Sequence, residues 1–199
     1  MSVTLHSFSR RLFVGSLVLL AACSHDGREL HPPLDSQNET IAVTTTIGEV
    51  VEPTSAFAVV APWEDGAEID PRYTCAMGIS PRIQFDNVAS DVKMLALSIV
   101  DETADGFVHW VVANIDPAKP LIEEGSNPNG AIESTNSAGT IGFNPPCPRA
   151  GESHTYRLTA YGLSQQLELD NGVAAETLVQ AIELAALDTQ SSRFIVTSS

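Results

Sequence analysis

Basic residues are scarce in this chain: ten lysines and arginines stand against twenty-five aspartates and glutamates, for a formal net charge of −15. With no cationic cluster to neutralise phosphates, nucleic acid is excluded as a partner, and the acidic balance reads as solubility. Cysteine occurs only three times. No internal repeat and no coiled-coil heptad is present, and no Gly-x-Ser-x-Gly elbow that would mark a serine hydrolase. The single long apolar run, 12–20, is too short to span a bilayer comfortably. What remains is 199 residues at 43% hydrophobic content, enough for one domain with a substantial core.

Arg10 and Arg11 precede that apolar run, which ends in Leu20-Ala21-Ala22-Cys23. A basic start, a short apolar stretch and small residues before a cleavage point describe a secretory signal. Cysteine directly after Leu-Ala-Ala resembles the lipobox of bacterial lipoproteins, which implies a signal over 1–22 and a lipid on Cys23; the alternative is an ordinary signal with a chance cysteine. Several acyl chains, at about 0.8 kcal/mol per buried methylene, anchor stably. Cleavage removes two arginines and no acid, taking the formal charge from −15 to −17. Ser24 after the cysteine, rather than aspartate, favours an outer membrane, facing the periplasm. Residues 23–47 are polar, with Pro32-Pro33 and Thr44-Thr45-Thr46, and read as a tether. His6 leaves with the signal, and His25 and His31 lie in the tether.

The domain is expected over 48–199. Strand-like pieces occur at 48–51, 56–61 and 83–85. The almost wholly apolar 93–100 reads as a central strand, and Phe107–Ile115 as a strand covered on both faces. Strict alternation would place His109 with Phe107, Val111 and Ala113, and turn Trp110 the other way. Residues 116–148, broken by many prolines and glycines, predict a long irregular and functional excursion. Then come a strand over 155–163, a helix over 174–187 with Leu178, Ala181, Ile182 and Ala185 on one face, and a short strand at 194–196. Many strands with one late helix predict a mainly antiparallel β domain. In an exported protein Cys75 and Cys147 are the pair available for a disulfide, although their separation is not legible in the sequence.

Three ordered motifs stand out. They are Tyr73-Thr74-Cys75 with Ile79-Ser80-Pro81 and Ile83; Asp101 with His109-Trp110-Val111-Val112-Ala113-Asn114-Ile115; and Gly142-Phe143-Asn144-Pro145-Pro146-Cys147-Pro148 with Gly151, His154 and Tyr156. Together they resemble the bacterial Raf-kinase-inhibitor-like branch of the phosphatidylethanolamine-binding protein family. The resemblance implies a large central antiparallel sheet, a second smaller sheet in Greek-key-like order, and a C-terminal helix. It also implies a small surface pocket for phosphate or a phosphorylethanolamine-like phospholipid head group. Asp101, His109, His154 and Tyr156 fall on the pocket positions, with Gly142 and Pro146 on its rim. Two positions depart from the family motifs: Thr103 stands where an aspartate is expected, and Thr155 where an arginine is.

The residue chemistry agrees with a pocket. His154 and Tyr156 are two apart on a strand and project from one face. Two imidazoles and a phenol supply donors to an anion, and a carboxylate beside them sets a tautomer or accepts an ammonium. Taken singly, each residue has a plainer role: His109 and Tyr156 in a core, His154 on an exposed strand, Asp101 capping a loop. The expectation is non-catalytic binding of a small anionic or zwitterionic ligand, with no cofactor and no metal. Two alternatives stand beside it. One is a kinase- or protease-inhibitor-like module meeting a protein partner through 118–138 and the rim. The other is a metal triad of Asp101, His109 and His154.

Overall fold

The computed structural model describes residues 56–198. The signal, the tether with Cys23 and the strand expected at 48–51 lie outside the described residues. Two sheets and one helix make three layers. The larger sheet holds β2 (Ala67–Glu68), β9 (Ala186–Thr197), β8 (Ser153–Leu163), β4 (Met94–Asp101), β5 (Phe107–Ile115) and β7 (Ile132–Glu133), in that spatial order. All its pairings are antiparallel except β2 on β9. The smaller sheet is β1 (Ala58–Val60), β3 (Ile83–Asp86) and β6 (Leu121–Ile122). The helix α1 (Ala175–Ala185) follows β8.

The two sheets bury Ile83, Phe85 and Ile122 from one side and Leu95, Leu97, Ile99, Trp110, Val112 and Leu158 from the other. The opposite face of the larger sheet, with Ala96, Val111, Ala113 and Leu163, packs on Leu178, Ile182 and Ala185 of α1. β4 is the central strand its composition predicts, paired on both sides by β5 and β8. The helix has the predicted face but ends at Ala185, because Ala186 is already extended and starts β9.

Two expectations need correction. β9 runs for twelve residues rather than three. Its first half, Leu187-Asp188-Thr189-Gln190-Ser191-Ser192, has no apolar alternation to betray a strand; it is ordered by pairing with β8 from Gly162↔Asp188 to His154↔Val196. The second correction is the facing of β5. The β4–β5 register shifts between Ile99↔Trp110 and Val100↔Val108, leaving His109 as the extra residue of a bulge. A bulge re-aims side chains locally. His109 therefore stacks toward Tyr156 on the same face as Trp110, while Val108, Val111 and Ala113 face the helix.

The 116–148 excursion contributes only β6 and β7 to the sheets and is otherwise irregular, as its composition predicts. It is anchored by the buried Glu133, whose carboxylate accepts from Trp110 Nε1 and Asn127 Nδ2, each at 2.7 Å. Gly142 sits against this carboxylate with φ +90°, and a Cβ there would lie 3.1 Å from Glu133 Oε1. Gly142→Ala is therefore expected to destabilise the domain by about 1–3 kcal/mol, through left-handed backbone strain and crowding of the acid. Urea unfolding monitored by tryptophan fluorescence measures this, and an unchanged midpoint would contradict it.

Candidate functional site

Register brings the site together at one end of the larger sheet. Asp101 ends β4 and is opposite both Tyr156 on β8 and Phe107 on β5. His154 precedes Tyr156 by two residues on β8, so alternation keeps both on that face. The bulge turns His109 toward them. Asp101 Oδ2 lies 2.7 Å from His154 Nδ1, while its Oδ1 accepts from the backbone N–H groups of Thr103 at 2.8 Å and Ala104 at 3.0 Å. The carboxylate is only 3% exposed, and these three donors offset the loss of hydration that burying it entails.

His109 is held differently. Its Nδ1 donates to the Asn144 carbonyl at 2.8 Å, and its own carbonyl accepts from Asn144 N–H at 2.8 Å. The tautomer is thereby set, and Nε2 has no partner among the described residues. The His109 and Tyr156 rings meet edge to face at 5.2 Å, and Tyr156 stacks on Phe194 at 5.0 Å.

The two imidazoles are tuned in opposite directions. Burial lowers the His109 pKa, outweighing the Asn144 hydrogen bond and the Asp101 charge that raise it, so this ring stays neutral at pH 7. The His154 pKa is raised, first by its hydrogen bond to Asp101. Glu152 Oε2 approaches His154 Nε2 at 3.4 Å from the solvent side. The Tyr156 phenol is pushed up by burial and then by Asp101, so it remains protonated.

These groups line an open pocket of about 380 Å³ together with Ala104, Phe107, Asn144, Pro145, Cys147, Pro148, Arg149 and Glu152. Of the residues expected from sequence, Asp101, His109, His154 and Tyr156 converge here. Gly142 and Pro146 do not line the wall. Gly142 packs behind the rim on Glu133, and the buried Pro146 accepts from Cys75 N–H at 3.0 Å and faces a neighbouring cavity. No residue of 118–138 lines the pocket. Cys75 and Cys147 are bonded, which ties the rim to the 71–78 turn. Glu152 was legible as the next same-face position before His154; Arg149 and Asn144 carried no periodic signal. Among the described residues no group of three His, Cys, Asp or Glu side chains is arranged to hold a metal ion.

Residues 59–196 match the model of the phosphatidylethanolamine-binding protein family. The chain belongs to this family. Members similar to it include a UPF0098 protein of Methanothermobacter thermautotrophicus, 36% identical over 129 residues that span 61% of this chain and 85% of the relative. A second, named "Putative lipoprotein LppC", from Mycobacterium tuberculosis, is 32% identical over 176 residues, spanning 85% of this chain and 86% of its own. Among solved structures, the PEBP homolog CT736 of Chlamydia trachomatis superposes with a TM-score of 0.66 at 29% identity, covering 72% of this chain and 99% of that one. YbcL of E. coli shares the fold, with a TM-score of 0.67 at 20% identity over 73% of this chain and 100% of its own. The two departures from the PEBP motifs touch each other: Thr155 N–H donates to Thr103 Oγ1 at 2.9 Å. The Thr103 hydroxyl thus ties the Asp101 loop to the β8 backbone; the bond uses the Thr155 backbone N–H and not its side chain.

Asp101→Asn removes the carboxylate that does most to raise the His154 pKa, so the His154 titration is expected to move down toward the ordinary histidine range, with Glu152 still raising it. Ring-proton NMR against pH reads this. His154 has its folded pKa raised, so its contribution to stability is full below about 6.5 and lost as pH rises through the raised value. The stability gap between wild type and Asp101→Asn should accordingly be widest near about pH 5.5 and narrow with rising pH; a gap that widened would contradict the pairing. Replacing both Cys75 and Cys147 by serine frees a closure of 72 residues and is expected to cost up to about 4 kcal/mol in unfolding free energy. Calorimetry checks the loss.

Proposed function

We propose that this domain binds a small anionic or zwitterionic head group, of the phosphate or phosphorylethanolamine kind, and performs no chemistry on it. The observation that carries this reading is the convergence of Asp101, His109, His154 and Tyr156, from three strands, on one solvent-reachable hollow. The hollow suits such a ligand in size and in donors. His154 is the readily charged donor and Tyr156 a neutral one, while His109, its Nδ1–H given to Asn144, presents Nε2 as an acceptor. Asp101 and Glu152 offer acceptors for an ammonium. The wall contains no serine, lysine or free thiol, since its cysteine is in the disulfide. Family membership supports the same reading.

The Leu-Ala-Ala-Cys23 boundary, and a lipoprotein-named relative matching 85% of the chain, support a lipid on Cys23 and a place in the bacterial envelope. Among the described residues no helix is long and apolar enough to cross a membrane. A lipid on Cys23 would hold the pocket near a surface rich in head groups.

The test is NMR titration of the full chain with phosphorylethanolamine and, separately, inorganic phosphate. The His109 and His154 ring resonances are expected to shift saturably, with tighter binding below the raised His154 pKa, where that ring is cationic. Rings that stay still at millimolar ligand would end this reading.

A further inference from the structure

We infer that Arg149 is the specificity-determining cation of this pocket, the group that makes it select an anion over a neutral molecule of the same size. The inference rests on the head-group reading above and adds a residue to it.

Five arginines fall among the described residues: Arg72, Arg82, Arg149, Arg157 and Arg193. Four are committed elsewhere. Arg72 meets Asp70 and Glu124, Arg82 meets Glu123, and Arg157 and Arg193 share Glu102. In a chain with two and a half acids for every base, an arginine without a carboxylate within 4.0 Å is the exception, and among the described residues that one is Arg149. It is also the one that lines the pocket.

The wall explains why a fixed cation is needed there. The other charged groups on it are Asp101 and Glu152, both acids, and His154, whose charge comes and goes with pH and is already engaged with both acids. His109 is held neutral by burial. An incoming anion would therefore meet a net repulsive wall unless a permanent charge opposed it. Arg149 supplies that charge on a planar donor fork that matches two oxygens of a phosphate or carboxylate at once.

Its backbone is braced, while its guanidinium has no hydrogen-bond or carboxylate partner among the described residues. The Arg149 carbonyl accepts from Glu152 N–H at 2.9 Å, and Gly151 N–H donates to the Ser198 carbonyl at 2.8 Å, closing a tight turn. Two residues before it, Cys147 is fixed by the disulfide to Cys75. The stem is thus anchored at the pocket mouth, and Arg149 is an exposed residue of the pocket lining.

Binding of inorganic phosphate and of phosphorylethanolamine to the full chain, measured by calorimetry or NMR, tests the assignment. Arg149→Ala is expected to weaken phosphate about fivefold to tenfold, a surface-discounted charge-assisted bond. Arg149→Lys should recover part of the loss, and the salt dependence of binding should flatten in the alanine variant. Arg82→Ala, which removes an arginine away from the pocket wall, should leave affinity unchanged and controls for net charge. The melting temperature and the His154 titration midpoint should be nearly unmoved in Arg149→Ala. Wild-type binding with Arg149→Ala equally tight, or with Arg82→Ala equally damaging, overturns the role of Arg149 while the pocket reading stands. No wild-type binding of either probe overturns both.

Discussion

A carboxylate 3% exposed at the end of a central strand is the constraint from which the site follows. Left alone, Asp101 would be costly to bury as an anion. Its two oxygens divide the task. One accepts from the Thr103 and Ala104 amides and shapes the turn out of β4; the other faces His154 across the β4–β8 pairing. The same acid therefore folds a loop, orients an imidazole and raises that ring's affinity for a proton. Glu102 next to it ties the loop outward to Arg157 and Arg193, while Thr103 ties it to the β8 backbone. The turn is held from three directions, so the carboxylate has little room to move.

The histidines show how one environment produces a donor and an acceptor. His154 stands beside the acid and toward solvent, and gains a proton readily. His109 lies deeper, 5% exposed, with its Nδ1 spent on a carbonyl, and stays neutral. Had β5 kept strict alternation, His109 would face the helix with Val111 and Ala113. The bulge turns it to the pocket face at the cost of one unpaired residue in the ladder, and the Asn144 backbone takes up its Nδ1–H and its carbonyl, leaving Nε2 toward the pocket. An irregularity in a strand and the irregular rim loop thus satisfy one another.

The rim derives its shape from covalent and packing restraints rather than from regular structure. The disulfide fixes its outer end, the Asn144 link its inner end, and Glu133 beneath Gly142 its base. Pro146 and Gly142 belong to this support and do not line the pocket. Within the same loop Asn144, Pro145, Cys147, Pro148 and Arg149 form the wall itself.

Local chemistry in the sequence was enough to determine the strands of high apolar density, the face of the one helix, and the alternation that puts His154 beside Tyr156. The three ordered motifs carried the family and with it the architecture of two sheets and a helix. Sequence could not show the length of β9, since Leu187–Ser192 lacks a pattern and becomes a strand only by pairing with β8. Nor could it show the facing of His109, because a bulge is a property of two registers and not of one strand. The Cys75–Cys147 bond and the Thr103–Thr155 contact join residues separated by 72 and 52 positions, and closeness of that kind exists only once the chain is folded. Periodicity and composition are properties of neighbours, so the sequence alone settled which segments are buried; which distant groups meet was decided by strand order and register.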